Sequence, residues 1–277
     1  MNRSELGAAL RVLRNASGKE AKAVARSAVM SPSKLSKIET GKLSPSADDV
    51  DRILTAIGVS DDVKAEYMDA ARAVATETTA WRLIQRAGLH KAQQRLRDVE
   101  ARMGLLRLFQ PALVPGLLQT PEYMRAILSR HEDLTEETVR RTVGARLERQ
   151  EVLYDDTKRF RFVVTEPVLR WLIVPPMVMV GQLDRLASAS RLPNVDVRVV
   201  PMAGRKYDIP NHAFVIRDDR AVTVETVHAE VVVTDPRDVA QYVSKFDGFA
   251  QHALEGAELI ALLESIRDDL LRERESG

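Results

Sequence analysis

Residues 31–41 read SPSKLSKIETG, and this stretch decides how the N-terminal part of the chain folds. Ser31 can accept a hydrogen bond from the free amides of a first helical turn. Pro32 suits the first helical position, where no donor is needed, and Gly41 can take the left-handed conformation that stops a helix. The spacing therefore predicts a short, sharply bounded helix. Leu35 and Ile38 share one face of it and must be buried, which leaves Pro32, Ser33, Lys34, Ser36 and Lys37 facing outward.

Working outward, Leu6, Leu10 and Leu13 repeat at helical spacing, with Ala9 and Val12 beside them, and the polar cluster Asn15 to Gly18 closes that first helix. A second helix is expected over 19–28, with Ala21, Val24, Ala25 and Ala28 inward, so that a neighbouring helix can approach closely. Downstream, Ser44-Pro45-Ser46 opens a fourth helix whose Val50, Ile53, Leu54 and Ile57 close a small bundle before Gly58. Val63, Tyr67, Ala70, Ala71 and Val74 predict a fifth, and the polar Thr76 to Thr79 marks a candidate boundary.

Charge singles out the same segment. The whole chain has 277 residues and a net charge of +1, which excludes a histone-like polycation and an acidic disordered tail. Residues 1–47, however, hold nine Lys or Arg against three acids, a balance of +6, leaving 32 against 37 for the remainder. One end of the chain is thus built to meet a polyanion. Two lysines and two hydroxyls on a presented helix suit a DNA major groove.

These residues resemble helix-turn-helix regulators of the phage-repressor or XRE type. The match runs from residue 4 to about 60 and is carried by LGAALRVLR, Ala25, SPSKLSKIETGK, Ser44-Pro45-Ser46 and the closing apolar residues. The resemblance implies that 31–40 is the recognition helix. Pro32, Ser33, Lys34 and Lys37 then read bases, Lys19, Lys22, Ser36 and Lys42 meet phosphates, and Arg14 and Glu39 form a buried ion pair between the first and third helices. Two positions depart from the pattern: Val29 stands in a turn that is usually glycine, and Ala21 where a glutamine often holds a phosphate.

Beyond the bundle, Trp81, Ile84, Gly88, Leu96, Val99, Met103 and Leu106 recur at roughly helical period in an arginine-rich segment. A connecting helix is expected over 79–110. Its Arg82, Arg86, Lys91, Arg95, Arg97, Arg102 and Arg107 read as a solvated face, or else as a second DNA-facing or dimer-forming surface. Residues 111–121 form a Pro-rich loop with apolar packing, and Thr120-Pro121 and Thr135 each open a helix. Runs at 160–165, 195–200, 212–216, 222–227 and 230–234 alternate or are β-branched and predict strands, with helices at 182–190, 239–253 and 259–271. The expected organisation is an all-α helix-turn-helix domain (1–78), a connecting helix (79–110) and a larger α+β domain (111–277).

VPGLLQTPEYMRAIL (114–128), VGARLERQEVL (143–153), EPVLR (166–170), QLDRLASASRLPNVDVRVVP (182–201), HAFVI (212–216) and VETVHAEV (224–231) are similar to the domain of uncharacterised function in actinomycete regulators of the WhiJ type. Val174-Pro175-Pro176 departs from a glycine-containing turn. The resemblance implies a regulator, sometimes antitoxin-like, often encoded beside a small BldB-type partner protein.

The expected function is a homodimeric, sequence-specific regulator of transcription that binds double-stranded DNA and receives a protein or small-molecule signal through its C-terminal domain. The loop 111–121 and Arg205-Lys206-Tyr207-Asp208 are candidate pocket walls. The alternative is an antitoxin-like interaction protein that holds a BldB-type partner, with DNA binding secondary. No enzyme, catalytic residue or cofactor is expected. Zero cysteines exclude disulfides and thiolate metal sites, the five histidines lack HExxH spacing, and no phosphate-cradling glycine loop occurs. His228 and Glu230 share a strand face, with His212 a conceivable neighbour, but exposed polar residues explain them and no metal site is expected. The most apolar run, 172–181, is ten residues long and interrupted by Pro175 and Pro176, against roughly 20 for a bilayer span. With no apolar leader before Leu6, a cytoplasmic protein with no membrane contact is expected.

Overall fold

The computed structural model describes residues 3–74, 76–80, 88–204 and 208–276. Trp81, Arg82, Ile84 and Arg86 of the expected connecting helix lie outside them, as do Arg205, Lys206 and Tyr207. The chain divides into two compact units, Met1–Thr78 with Val231–Val239, and Thr79–Glu230 with Ala240–Gly277.

Among the described residues of Met1–Thr78 the first unit holds five helices: α1 (Arg3–Ala16), α2 (Ala21–Ser27), α3 (Pro32–Glu39), α4 (Ala47–Ile57) and α5 (Asp61–Val74). Local chemistry sets their ends. The Ser31 hydroxyl accepts from the Lys34 amide at 3.1 Å, and Pro32 takes the first position of α3. Ser46 and Asp49 form a reciprocal capping box on α4, and Gly58, at φ +87°, ends it. Leu6 and Leu10, Val24 and Ala25, Leu35 and Ile38, and Val50, Ile53 and Leu54 are buried in one core. Val12 is a correction to the expected face: two residues past Leu10 it lies round the far side of α1 and is 65% exposed.

Gly7 sets the spacing of α1 and α3. A Cβ at this position would stand 2.2 Å from the Ile38 carbonyl oxygen, so the two helices approach at a distance that no side chain fits.

The second unit carries a mixed sheet flanked by helices. Its strands are β2 (Leu105–Gln110), β3 (Arg159–Thr165), β4 (Val195–Val200), β5 (Phe214–Arg217) and β6 (Ala221–Glu225), in the order β6-β5-β2-β3-β4; a further strand, β7 (Ala229–Val233), has its last three residues in the first unit. A short strand, β1 (Thr76–Ala80), occupies the stretch read from the sequence as a polar boundary. β2, β3 and β4 run parallel, so helices must carry the chain between them. These are α7 (Pro121–Leu128) and α8 (Glu136–Gln150) in the first crossover, and α9 (Pro167–Arg170) and α10 (Pro176–Ala189) in the second. β5 returns antiparallel beside β2 and turns into β6. α6 (Leu89–Glu100) precedes the sheet, and α11 (Pro236–Gln251) and α12 (Gly256–Ser276) follow it.

One sheet face buries Leu106, Phe160, Phe162, Val164 and Val197 against Leu183 and Leu186 of α10 and Leu259 and Leu263 of α12. On the other, Phe109 stacks on Phe249 with ring centroids 4.2 Å apart and meets Phe214 at 5.4 Å. The helix-turn-helix region followed by an α+β domain agrees with the expected fold class. The connecting helix over 79–110 does not: it is helical at Leu89–Glu100, but Leu105–Gln110 is a strand with β3 and β5 on either side. Leu105, Leu106, Leu108 and Phe109 form a short apolar run whose period fits a helix as well as a two-sided buried strand, and the partner strands decide between them. The helix expected at 182–190 begins earlier, at Pro176, because the second proline of the pair sits at the first helical position.

The loop 111–121 is held by glutamines. Gln182 donates to the Leu118 carbonyl and accepts from the Thr120 amide, both at 2.8 Å. Gln150 donates to the carbonyls of Gly116 and Gln119, and Gln119 to that of Val114. Buried backbone groups that no ladder satisfies are thus paired by side chains. No helix among the described residues is long and apolar enough to cross a membrane.

Gly7→Ala is expected to destabilise the first unit by about 1–2 kcal/mol, overpacking outweighing the gain of roughly 1 kcal/mol in helix propensity. Hydrogen exchange of the full chain reads this as faster exchange of amides in α1 and α3, with those of β2 to β4 unchanged.

Candidate nucleic-acid interface

α3 is eight residues long, and its two sides differ sharply. Leu35 and Ile38 are fully buried and Glu39 nearly so, whereas Pro32, Ser33, Ser36 and Lys37 are exposed. Lys34 is half-buried. The residues expected to read bases therefore lie on α3 and, Lys34 apart, on its open face.

Arg14 and Glu39 form the expected ion pair. Nε and Nη2 of Arg14 donate to the two carboxylate oxygens at 2.6 and 2.9 Å, a parallel fork that fixes angle as well as distance. The side chains are only 11% and 7% exposed. The bond to Glu39 holds the Arg14 guanidinium further above its ordinary pKa. It ties the last turn of α1 to the last turn of α3.

The lysines divide into two groups. Lys34 donates to Asp49 at 2.6 Å, and Lys19 reaches the Ala56 carbonyl at 2.6 Å, so both have partners within the bundle. Lys22, Lys37 and Lys42 are exposed, and none has an ion-pair partner among the described residues. Of the lysines assigned to bases, Lys37 can meet a ligand without releasing an ion-pair partner among the described residues, while Lys34 must first give up Asp49. Sequence pattern could not reveal this difference, since Lys34 and Asp49 are fifteen positions apart and meet only through the bundle.

Val29, in the turn before α3, has φ +53° and is 77% exposed. A branched side chain in the left-handed region is strained. The glycine usual at this turn in the family that the sequence resembles has a physical reason here, and this chain departs from it. Ala21, the other departure, lies half-buried in the first turn of α2 and adds no donor there.

The histidines considered for a metal or acid–base cluster have separate neighbours. His212 lies 3.1 Å from the Tyr242 hydroxyl, and His228 lies against Thr226.

Residues 5–67 match the protein family described as a helix-turn-helix domain, and residues 93–265 match the family described as a domain of unknown function, DUF5753. No curated protein matches the chain. Three solved structures are loosely similar. NucT from Helicobacter pylori is 12% identical, with 65% of this chain and 98% of that one covered and a TM-score of 0.37. Nuc from Salmonella typhimurium, a phospholipase D family member, is 10% identical, with 65% and 97% covered and a TM-score of 0.35. TrmBL2, an archaeal chromatin protein, is 12% identical, with 71% and 62% covered and a TM-score of 0.33. Likenesses this loose say nothing about the chemistry of this chain.

Val29→Gly is expected to stabilise the first unit by about 1 kcal/mol, since relief of the left-handed strain exceeds the entropy lost with glycine and no buried contact is given up. Slower amide exchange across α2 and α3 checks it; unchanged or faster exchange contradicts it.

Proposed function

The chain belongs to the family defined by the domain of unknown function DUF5753, here joined to a helix-turn-helix domain, and from that premise we propose that it is a sequence-specific DNA-binding regulator of transcription rather than an enzyme. The observation that carries the reading is the bare face of α3. A helix buried on one side by Leu35 and Ile38 presents Pro32, Ser33, Ser36 and Lys37 on the other, and Lys37 has no ion-pair partner among the described residues. Lys37 reads a base edge, Ser33 and Pro32 follow the groove, and Lys22, Lys42 and Ser36 meet phosphates. Lys19 and Lys34 contribute only after leaving their partners in the bundle.

One such helix covers few base pairs, so two copies of the chain act on half-sites about 34 Å apart or a multiple of that. The second unit receives the signal, as a small molecule or a partner protein of the BldB type. The net charge of +6 in residues 1–47 draws that end to phosphate, and the acidic excess elsewhere leaves the rest of the chain without such attraction.

Selection from random duplexes with the full chain is expected to enrich a two-part sequence. On that sequence Lys37→Ala weakens binding about tenfold, corresponding to roughly 1–3 kcal/mol for a lost base contact, and relaxes preference at one base pair of each half-site. Uniform weakening on every duplex, with a salt slope shallower by about 1, moves Lys37 to a phosphate. If instead the chain chiefly holds a partner protein, the selection enriches nothing, and this reading fails.

A further inference from the structure

In the second unit, a cavity of about 180 Å³ opens between the loop 111–121, α8 and strands β2, β5 and β6. The loop expected to form a pocket wall does so through Leu113 to Gly116 and Gln119. Asp208, the described residue of the other expected wall, is instead bonded to Lys245 at 2.8 Å. Three arginines line the cavity, Arg146 and Arg149 from α8 and Arg217 from β5, beside the apolar Leu108 and Val215, which share the sheet face of Arg217.

The three arginines differ in what they hold. Arg149 grips the fully buried carboxylate of Glu100 with two bonds of 2.7 and 2.5 Å, a pairing that keeps a buried guanidinium in balance. Among the described residues Arg146 bonds only the Gln119 side-chain oxygen, at 3.2 Å, and Arg217 only the Thr223 hydroxyl, at 2.8 Å. Among the described residues neither forms an ion pair. The Nε of each is buried without an acceptor, although Arg217 is 91% removed from solvent. Removing such a charge from water without a bonded counter-charge costs several kcal/mol on the order of general estimates, so packing gives no reason to place two of them at one cavity. Glu225 and Glu230 also border it, but among the described residues neither bonds to a guanidinium, and desolvation together with the neighbouring Glu230 pushes the Glu225 carboxyl above the usual carboxylate range. They balance the arginines only at a distance.

We infer that this cavity binds a small organic oxyanion, a carboxylate or phosphate monoester on a compact apolar body, with Arg146 and Arg217 gripping the acid group and Leu108, Val114 and Val215 bordering the apolar part. A guanidinium matches the planar edge of such a group with two donors, and roughly 150 Å³ suffices for a benzene-sized ring. The inference rests on the reading of the second unit as the part that receives a signal, and names the chemistry of that signal.

The test is calorimetric titration of the full chain with benzoate and with phenyl phosphate, against the neutral analogue benzamide. Saturable one-to-one binding of at least one acid, at least tenfold tighter than benzamide, is expected; the arm that binds identifies the acid group. Arg217→Met and Arg146→Met each weaken it at least tenfold, while Glu225→Gln, which removes an opposing charge, tightens it severalfold. That gain is an effect that damage to the fold does not produce, and it also separates this cavity from phosphate binding to the lysines of the first unit. Equal binding of acid and neutral analogue, or acid binding indifferent to all three substitutions, overturns the inference. Acid binding without any change in affinity for the selected duplex leaves the site standing and removes the signalling role.

Discussion

An eight-residue helix cannot hold itself together in water, and everything proposed for the first unit depends on α3 being held. Isolated helices shorter than about 12–15 residues are marginal even with favourable sequences. Four devices supply what α3 lacks. Ser31 caps its start, Leu35 and Ile38 bury its inner face, Gly7 lets the backbone of α1 come against its last turn, and the Arg14–Glu39 fork locks its end. None of them uses the outer face. Lys37, Ser33 and Pro32 are therefore left bare by construction, and a helix rigid enough to present them spares the cost of ordering its backbone when it meets a duplex.

The devices of α3 were legible to different degrees. The Ser31 cap, the proline after it and the glycine stop are local signals, and the structure has them where the sequence puts them. The Arg14–Glu39 pair came from family resemblance rather than spacing, since nothing within one chain says that residues twenty-five apart will meet. The Gly7 contact and the Lys34–Asp49 bond were not visible at all, because both arise only when helices pack. The second of these matters for function, since it divides two lysines that look alike in sequence.

In the second unit, strands β3 and β4 were readable because Phe160 to Val164 and Val195 to Val199 alternate or run apolar between turn residues. β2 was not, since LLRLFQ follows a genuine helix and continues its period; only the pairing with β3 and β5 makes it a strand. The arginines of the cavity escaped for a similar reason. Arg146 and Arg149 sit three apart on one helix with nothing in the spacing to mark them as buried, and Arg217 comes from a strand about seventy residues later. Burial turns a bland charge pattern into a chemical one, and burial is a property of the fold.

The central claim is that the open face of α3 lies in the groove of a bound duplex. The chain has no cysteine, so a single cysteine introduced as Ser33→Cys can carry a DNA-cleaving iron chelate at that one position. With the selected duplex, cleavage confined to a few base pairs inside each half-site is predicted from position 33, and none above background when the same reagent is placed by Ser60→Cys, beyond the end of α4. Equal cleavage from both positions, or none within the half-sites from position 33, contradicts the account.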